Sequence, residues 1–177
     1  MNMQRTALRV LRLLRLLRVS RAVPALAALA LLAACASDPA RLATGMTRDQ
    51  ALQQLGAPTA SYPLAAGERL QYSRMPMGYE VTNVDLDASG RVVSVVQVLD
   101  ERYFATTIQV DKWTQQDVLR TYGPPYEITE VASFNGKVWT WRFRNLNNPR
   151  FLYIYIDPQG VVRRWHPADD VVNRLRW

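Results

Sequence analysis

The chain has 177 residues, with 22 basic and 15 acidic side chains, one histidine and one cysteine, Cys35. A single cysteine excludes an intramolecular disulfide. The excess of positive charge lies at the N-terminus, because six arginines and no acidic residue precede Cys35. From Cys35 onwards, 16 basic residues stand against 15 acidic ones. This near balance excludes nucleic acid as the expected partner.

The N-terminus has the three parts of a bacterial export signal. The six arginines lie in residues 1–21, an apolar run covers residues 22–32, and small residues follow. The run is too short to span a bilayer, which needs about 20 apolar residues. The tetrapeptide Leu-Ala-Ala-Cys that ends at Cys35 resembles a lipobox, in which the cysteine is diacylated. We therefore expect residues 1–34 to be a lipoprotein signal peptide and Cys35 to be lipidated. An ordinary secretory signal and a basic amphipathic helix are the alternatives.

A helix pattern then occurs twice. Residues 47–58 recur as residues 114–125, with the threonine, glycine and proline positions each 67 residues apart. Thr47 and Gln50 form a Thr-x-x-Gln capping box, which predicts a helix start. A glycine followed by proline ends the helix in both copies. Residues 35–44, which are small and polar, are expected to tether this part of the chain to the lipid.

Strand patterns follow both helices. Turn residues separate runs rich in β-branched and aromatic side chains, which is typical of antiparallel hairpins. Asn135-Gly136 is the strongest two-residue hairpin signal, and the turn at 87–90 recurs at 157–160. Residues 100–110 have no clear pattern, and a short helix is expected after Pro167. The predicted strands are 69–74, 79–87, 91–99, 130–134, 137–144 and 151–157.

These patterns predict an α+β fold of two tandem units. The first unit covers residues 45–100, and the second covers residues 101–177 with a C-terminal tail. In each unit a short helix is expected to pack on a small antiparallel sheet, because a helix of about eight residues is not stable alone.

The first copy resembles a known family. Its pattern is Gly-Met-Thr-x-x-Gln-Ala-x-x-x-Leu-Gly-x-Pro from Gly45, followed by Leu70-x-Tyr72 and an Asp-x-x-Gly hairpin. Over residues 43–99 this is similar to the SmpA/OmlA (BamE-like) lipoproteins of outer-membrane assembly. The tandem arrangement is similar to the β-lactamase-inhibitor-protein-like fold. The resemblance implies a non-enzymatic lipoprotein at the periplasmic face of the outer membrane, anchored by the lipid at Cys35.

The resemblance also implies how such a protein acts. It would be an accessory or scaffold protein that binds other envelope proteins, among them the β-barrel assembly machine, and needs no cofactor. The alternative is a periplasmic inhibitor or regulator that occludes an enzyme with the concave surface of its tandem sheets.

The repeat also predicts which residues face outwards. Offsets of 69 and 70 residues align the strands of the two copies. We expect Asn83 and Asp85 to face water, so their equivalents Tyr153 and Tyr155 would form an outward patch with Arg142 beside them. Tyrosine and arginine are favoured in interfaces, which makes this a candidate partner-binding site. Half-exposed tyrosines without a partner are the alternative. The aligned core positions are Leu70 with Trp139 and Tyr72 with Trp141.

Catalytic patterns are weak. His166 is the single histidine, and no paired-cysteine, His-x-x-x-His or Gly-x-Ser-x-Gly pattern occurs in the sequence. Asp85 with Asp87, and Asp169 with Asp170, are close in sequence but are expected to be solvated. We therefore predict no catalytic residue, no cofactor site and no metal site.

Overall fold

The computed structural model describes residues 38–170, and residues from Pro39 onwards belong to one compact unit. The predicted signal peptide, Cys35 and residues 171–177 lie outside the described range. Leu42, which falls in the predicted tether, is 8% exposed and packs with the core of the first sheet.

The described chain is mostly β, with two antiparallel sheets of four strands each. The first sheet has the order β1 (Ala60–Leu64), β2 (Gly67–Ser73), β3 (Val81–Asp87), β4 (Val92–Gln97). The second has the order β5 (Glu127–Val131), β6 (Phe134–Asn145), β7 (Asn148–Ile156), β8 (Val162–Asp169). Three short α-helices accompany them: α1 (Arg48–Leu55), α2 (Glu101–Thr107) and α3 (Gln115–Tyr122). A 3-10 turn covers Pro39–Arg41.

The predicted α+β class was wrong, partly because two strands were missed. Strands β1 and β8 are edge strands, and they contain Pro63 and Pro167. Proline weakens a strand pattern in sequence, yet it is tolerated at a sheet edge where its missing N–H is not needed. Residues 167–169, where a short helix was expected to begin, belong to β8, and residues 171–177 of that segment lie outside the described range. Helix α2 was also missed, although Asp100 caps it by accepting from the backbone N–H groups of Arg102 and Tyr103.

The helix-end signals were read correctly. Thr47 accepts from the Gln50 N–H while the Gln50 side chain accepts from the Thr47 N–H. Thr114 and Asp117 make the same reciprocal pair at the start of α3. Gly56 and Gly123 end the helices with φ of 79° and 68°, a backbone conformation that residues other than glycine rarely adopt.

Strand registers agree with the repeat. Leu70 lies opposite Val84 in the first sheet, and its equivalent Trp139 lies opposite Ile154 in the second. Both sheets have an irregularity at matching places, after Asp85 and after Tyr155. The turns also match, because the carboxylates of Asp87 and Asp157 each accept from two backbone N–H groups. The duplication thus extends to individual hydrogen bonds.

The predicted hairpin at Asn135-Gly136 was wrong. The turn falls at residues 132–133, and both predicted turn residues lie inside β6. Gly136 is needed for a different reason: a Cβ there would lie 2.3 Å from the carbonyl oxygen of Ile156. Gly67, its equivalent in the first sheet, has the same close approach to Leu86. Glycine here permits backbone contact between neighbouring strands.

Helix α3 does not belong to one sheet alone, which further corrects the predicted arrangement of one helix per unit. The last carbonyl groups of a helix need hydrogen-bond partners from outside it. The carbonyls of Leu119 to Tyr122 all have such partners, and that of Leu119 also accepts from the Gly123 N–H at 2.9 Å. Side chains from the first sheet donate to three of these carbonyls, and the Trp141 indole of the second sheet donates to the carbonyl of Tyr122 at 3.0 Å. The first-sheet donors are Tyr62 and Gln71 to Leu119, Gln71 and Arg69 to Arg120, and Asn83 to Thr121.

The expectation that Asn83 and Asp85 face water was therefore wrong. Asn83 is 2% exposed, and its amide donates to the carbonyl of Thr121 at 2.9 Å. Asp85 is half-buried in a two-pronged ion pair with Arg69, with contacts of 2.7 and 2.8 Å. The repeat identified equivalent positions correctly but could not show that α3 covers this face of the first sheet.

Apolar side chains form two core clusters. The smaller one joins Ala51 of α1 to Leu70, Val84 and Leu86 of the first sheet. In the larger cluster Phe104, Val118 and Tyr122 of α2 and α3 lie with side chains from the second sheet. Trp139 and Trp141 are 4% and 0% exposed in this larger cluster, which confirms that they are core residues. The side of the second sheet that carries them is therefore covered.

Candidate functional site

The opposite side of the second sheet carries the predicted partner-binding residues. Tyr153 of β7 lies between Thr140 of β6 and His166 of β8, and Arg142 lies opposite Phe151 in the neighbouring row. Tyr155 lies opposite Arg164, so strands β6, β7 and β8 all contribute. We call this side the outer face. It consists of Val138, Thr140, Arg142, Arg144, Phe151, Tyr153, Tyr155, Arg164 and His166.

Aromatic rings form a continuous row across the outer face. His166 is stacked against both tyrosines, with ring centroids 5.1 Å from Tyr153 and 5.6 Å from Tyr155. Phe134 meets the Tyr155 ring edge to face at 5.2 Å, and Phe151 lies 5.9 Å from Tyr153. These separations fall in the favourable range for aromatic pairs. The row holds the rings in place and gives the face a flat, amphipathic surface.

Guanidinium groups stack on Tyr155 at one end of this row and, beyond Phe151 at the other end, on the nearby rings of Tyr126 and Tyr79. The Arg164 guanidinium is 3.8 Å from the centre of the Tyr155 ring. At the other end Tyr79 has Arg142 and Arg144 each 4.5 Å from its ring centre, and Arg142 also donates a hydrogen bond to the Tyr79 hydroxyl. Stacking of this kind favours arginine through the ring quadrupole and leaves the N–H edge of the guanidinium directed sideways.

The two tyrosines are less exposed than the sequence suggested. Tyr153 is half-buried, and Tyr155 is only 8% exposed although it lies on the outer face. Phe134, His166 and Arg164 surround the Tyr155 ring, and these neighbours were not identified in the sequence. The alternation of Arg164 and His166 along β8 was the available signal, but Pro167 obscured that strand.

Burial shifts the titration of two groups on this face. It lowers the pKa of His166, and the nearby positive charge of Arg164 lowers it further. The pKa of Tyr153 is raised, first by burial and then by the negative charges of Glu127 and Asp170 and by Tyr155. Both shifts favour the neutral form of the side chain. At neutral pH the aromatic row is therefore uncharged, and the positive charge of the face comes from its arginines.

No helix of the described chain covers the outer face. The buried apolar residues of α1, α2 and α3 all belong to the two core clusters, whereas Val138 and Tyr155 belong to neither. The equivalent face of the first sheet is closed by α3. The duplicated sheets therefore differ in one respect: the first has an internal helix on this side, and the second presents its side chains outwards.

Catalytic chemistry has little support in the described residues. Asp85 pairs with Arg69, while Asp87 is occupied in its turn. Asp169 pairs with Arg150, and Asp170 is 4% exposed. A depression of about 420 Å³ near the β5–β6 turn contains Glu130, but this carboxylate is already paired with Lys137. No group of three His, Cys, Asp or Glu side chains suited to a metal occurs in residues 38–170.

Within residues 38–170, no helix combines the length and the apolar character that a membrane crossing requires.

Comparison with known proteins adds little. No family model and no curated protein matches the chain. A solved structure, the DUF4309 family protein YjgB from Bacillus subtilis subsp. subtilis str. 168, is similar over 70% of this chain and 78% of its own, with 10% sequence identity and a TM-score of 0.30. A likeness this weak supports no argument about fold or function. Membership of the SmpA/OmlA family stays a prediction.

Proposed function

We propose that this protein is a lipid-anchored, non-enzymatic lipoprotein of the outer membrane, on its periplasmic face. It acts as an accessory or scaffold protein in outer-membrane protein assembly or envelope integrity. The observation that carries the anchoring is the Leu-Ala-Ala-Cys tetrapeptide at Cys35, after an arginine-rich segment and an apolar run. The resemblance of residues 43–99 to the SmpA/OmlA lipoproteins supports the cellular role.

Binding of other envelope proteins is supported by the outer face. Tyr153, Tyr155 and Arg142 lie on one sheet surface that no described helix covers. Aromatic residues and arginine are enriched where proteins bind one another, since they combine large contact area with few conformations. The described carboxylates are largely engaged in ion pairs and turns, which favours a binding role over a catalytic one.

Replacing Cys35 with serine tests the anchor. We expect the wild-type protein in the outer-membrane fraction with acyl chains on Cys35, detected by mass spectrometry. Cys35→Ser is expected to leave an uncleaved precursor or a product that is released from the membrane. Each buried methylene contributes about 0.8 kcal/mol, so several acyl chains attach a protein almost permanently. Recovery of unacylated wild-type protein in the soluble periplasm would contradict the proposal.

Site-specific photo-crosslinking tests partner binding. A benzoyl-phenylalanine at His166, which is exposed on the outer face, is expected to crosslink the full lipoprotein to components of outer-membrane assembly in intact cells. The same probe at Gln159, exposed in a turn away from the aromatic row, is the matched control and is expected to give no such product. Capture of one soluble periplasmic enzyme instead would favour the inhibitor alternative. Equal products from both positions would mean that the outer face is ordinary surface.

A further inference from the structure

We propose that the outer face binds an acidic segment of a partner protein, whose carboxylates pair with Arg142, Arg144 and Arg164 while its apolar atoms lie on the aromatic row. This inference rests on the proposed function, since it names the chemistry of the partner. Its basis is the distribution of ion pairs, the comparison of the duplicated faces and the geometry of the stacked guanidinium groups.

The arginines of the outer face differ from most of the other arginines within residues 38–170. None of the ion pairs within residues 38–170 involves Arg142, Arg144 or Arg164. Three of the described arginines without an ion pair thus lie on a single face. The arginines that do form ion pairs with carboxylates are Arg48, Arg69, Arg74, Arg102, Arg150 and Arg163.

The first sheet shows what has changed at the equivalent position. There Arg69 and Asp85 lie opposite each other on β2 and β3 and form a two-pronged ion pair. In the second sheet Tyr155 takes the place of Asp85, and Arg164 lies opposite it on β8. The guanidinium of Arg164 therefore stacks on a ring at a position where the first sheet supplies a carboxylate. Val138 takes the place of Arg69, so the second sheet has neither member of that ion pair. A partner that brings its own carboxylate would supply Arg164 with an acidic group that the sheet itself does not provide.

The geometry suits carboxylate recognition. A guanidinium stacked on a ring keeps a rigid, planar orientation and can donate two parallel hydrogen bonds from its edge. Arg164 is exposed at one end of the row, and Arg144 is exposed at the other. Two acidic side chains act on Tyr153 of this face: Glu127, which lies opposite Thr140 on the edge strand β5, and Asp170, directly after β8. None of the described ion pairs joins Glu127 to the three arginines. The face therefore carries more positive than negative charge, on a surface that is partly apolar.

Binding of a defined peptide tests the inference. The probe is a fluorescent, N-acetylated and C-amidated peptide of about a dozen residues, in which Glu alternates with Leu or Tyr. The control peptide has Gln at every Glu position. With the full lipoprotein in neutral detergent, anisotropy is expected to show roughly tenfold tighter binding of the Glu peptide, because charge-assisted hydrogen bonds are the stronger ones. This difference should shrink between 50 mM and 500 mM salt as the charges are screened.

Two neighbouring arginines on β8 provide a matched pair of variants. Arg164→Gln removes a guanidinium from the outer face, whereas Arg163→Gln removes one that pairs with Asp111 and Asp157 elsewhere. We expect Arg164→Gln to weaken the Glu peptide roughly fivefold to tenfold and Arg163→Gln to leave its affinity unchanged. Arg144→Gln, which changes an exposed side chain at the other end of the row, provides a second measurement of how loss of a guanidinium affects the affinity for the Glu peptide.

Each other result would overturn the inference in a recognisable way. Equal affinity for the Glu and Gln peptides, or equal effects of the two β8 variants, would mean that the arginines do not recognise carboxylates. Binding to vesicles of anionic phospholipid but not to the peptide would assign the face to a membrane. A dimer in sedimentation that Arg164→Gln abolishes would assign it to a second copy of the chain. Photo-crosslinking to assembly proteins that survives Arg164→Gln would leave the proposed function intact while rejecting this partner chemistry.

Discussion

Replacing Trp141 with alanine is expected to lower the free energy of unfolding by about 3–5 kcal/mol. Trp141 is fully buried, and its ring lies 6.1 Å from both Trp139 and Tyr122. Its indole N–H also caps the carbonyl of Tyr122 at the end of α3. Truncation would therefore leave a large cavity and an unpaired backbone acceptor at the place where α3 meets the second sheet. Urea unfolding followed by circular dichroism measures the change.

A phenylalanine at the same position separates packing from the hydrogen bond. Trp141→Phe keeps an aromatic ring in the core but removes the N–H donor, so a smaller loss of about 1–3 kcal/mol is expected, the cost of an unsatisfied buried carbonyl. If the free energy of unfolding of Trp141→Ala lies within about 1 kcal/mol of the wild-type value, the contact between α3 and the second sheet is not part of the stabilising core.

Gly123→Ala is expected to destabilise the protein by about 1–3 kcal/mol more than Gly56→Ala. The two glycines end equivalent helices with nearly the same backbone, with φ/ψ of 68°/−169° at Gly123 and 79°/−164° at Gly56. Both substitutions therefore incur a similar backbone strain, of the order of 1–3 kcal/mol. Only at Gly123 would the new Cβ meet a neighbour, the Gln71 side-chain oxygen at 2.8 Å.

The extra cost at Gly123 depends on Gln71 being unable to move. Gln71 is fully buried, and its amide nitrogen donates to Asn83 and to the carbonyls of Leu119 and Arg120. At Gly56 nothing lies within 4 Å of the added Cβ, so Gly56→Ala is the matched control for strain alone. Equal losses for the two variants in thermal or urea melts would show that Gln71 can shift at little cost.

Signals that act within one helix or one turn were read correctly: the capping boxes at Thr47 and Thr114, the terminating glycines, and the aspartate turns. These depend on hydrogen bonds between residues fewer than five positions apart, so a short stretch of sequence is sufficient to specify them. The strand equivalences between the two copies also held, because duplicated sequences keep the same spacing.

Errors arose where the outcome depends on distant parts of the chain. Asn83 is a polar residue of the kind expected at a solvated position, yet α3 covers it. Its amide donates to a backbone carbonyl of α3, which belongs to the second copy. Asn135-Gly136 is a dipeptide typical of turns, but here Gly136 lies within a strand. It is glycine because a Cβ would clash with the backbone carbonyl oxygen of Ile156. At both positions a tertiary contact overrides the structure that the local sequence pattern predicts.

For the candidate site, the sequence by itself determined which residues share a face, because side chains alternate along a strand and the repeat aligns the strands. It placed Tyr153, Tyr155 and Arg142 together on the side opposite Trp139 and Trp141. Only the tertiary structure decided how open that side is. It added His166 and Arg164 from β8, it buried Tyr155 under neighbouring rings, and it brought Tyr79 against Arg142. It also decided that α3 closes the first sheet, since the partner of a sheet face is set by packing between elements far apart in the chain rather than by the composition of the strand.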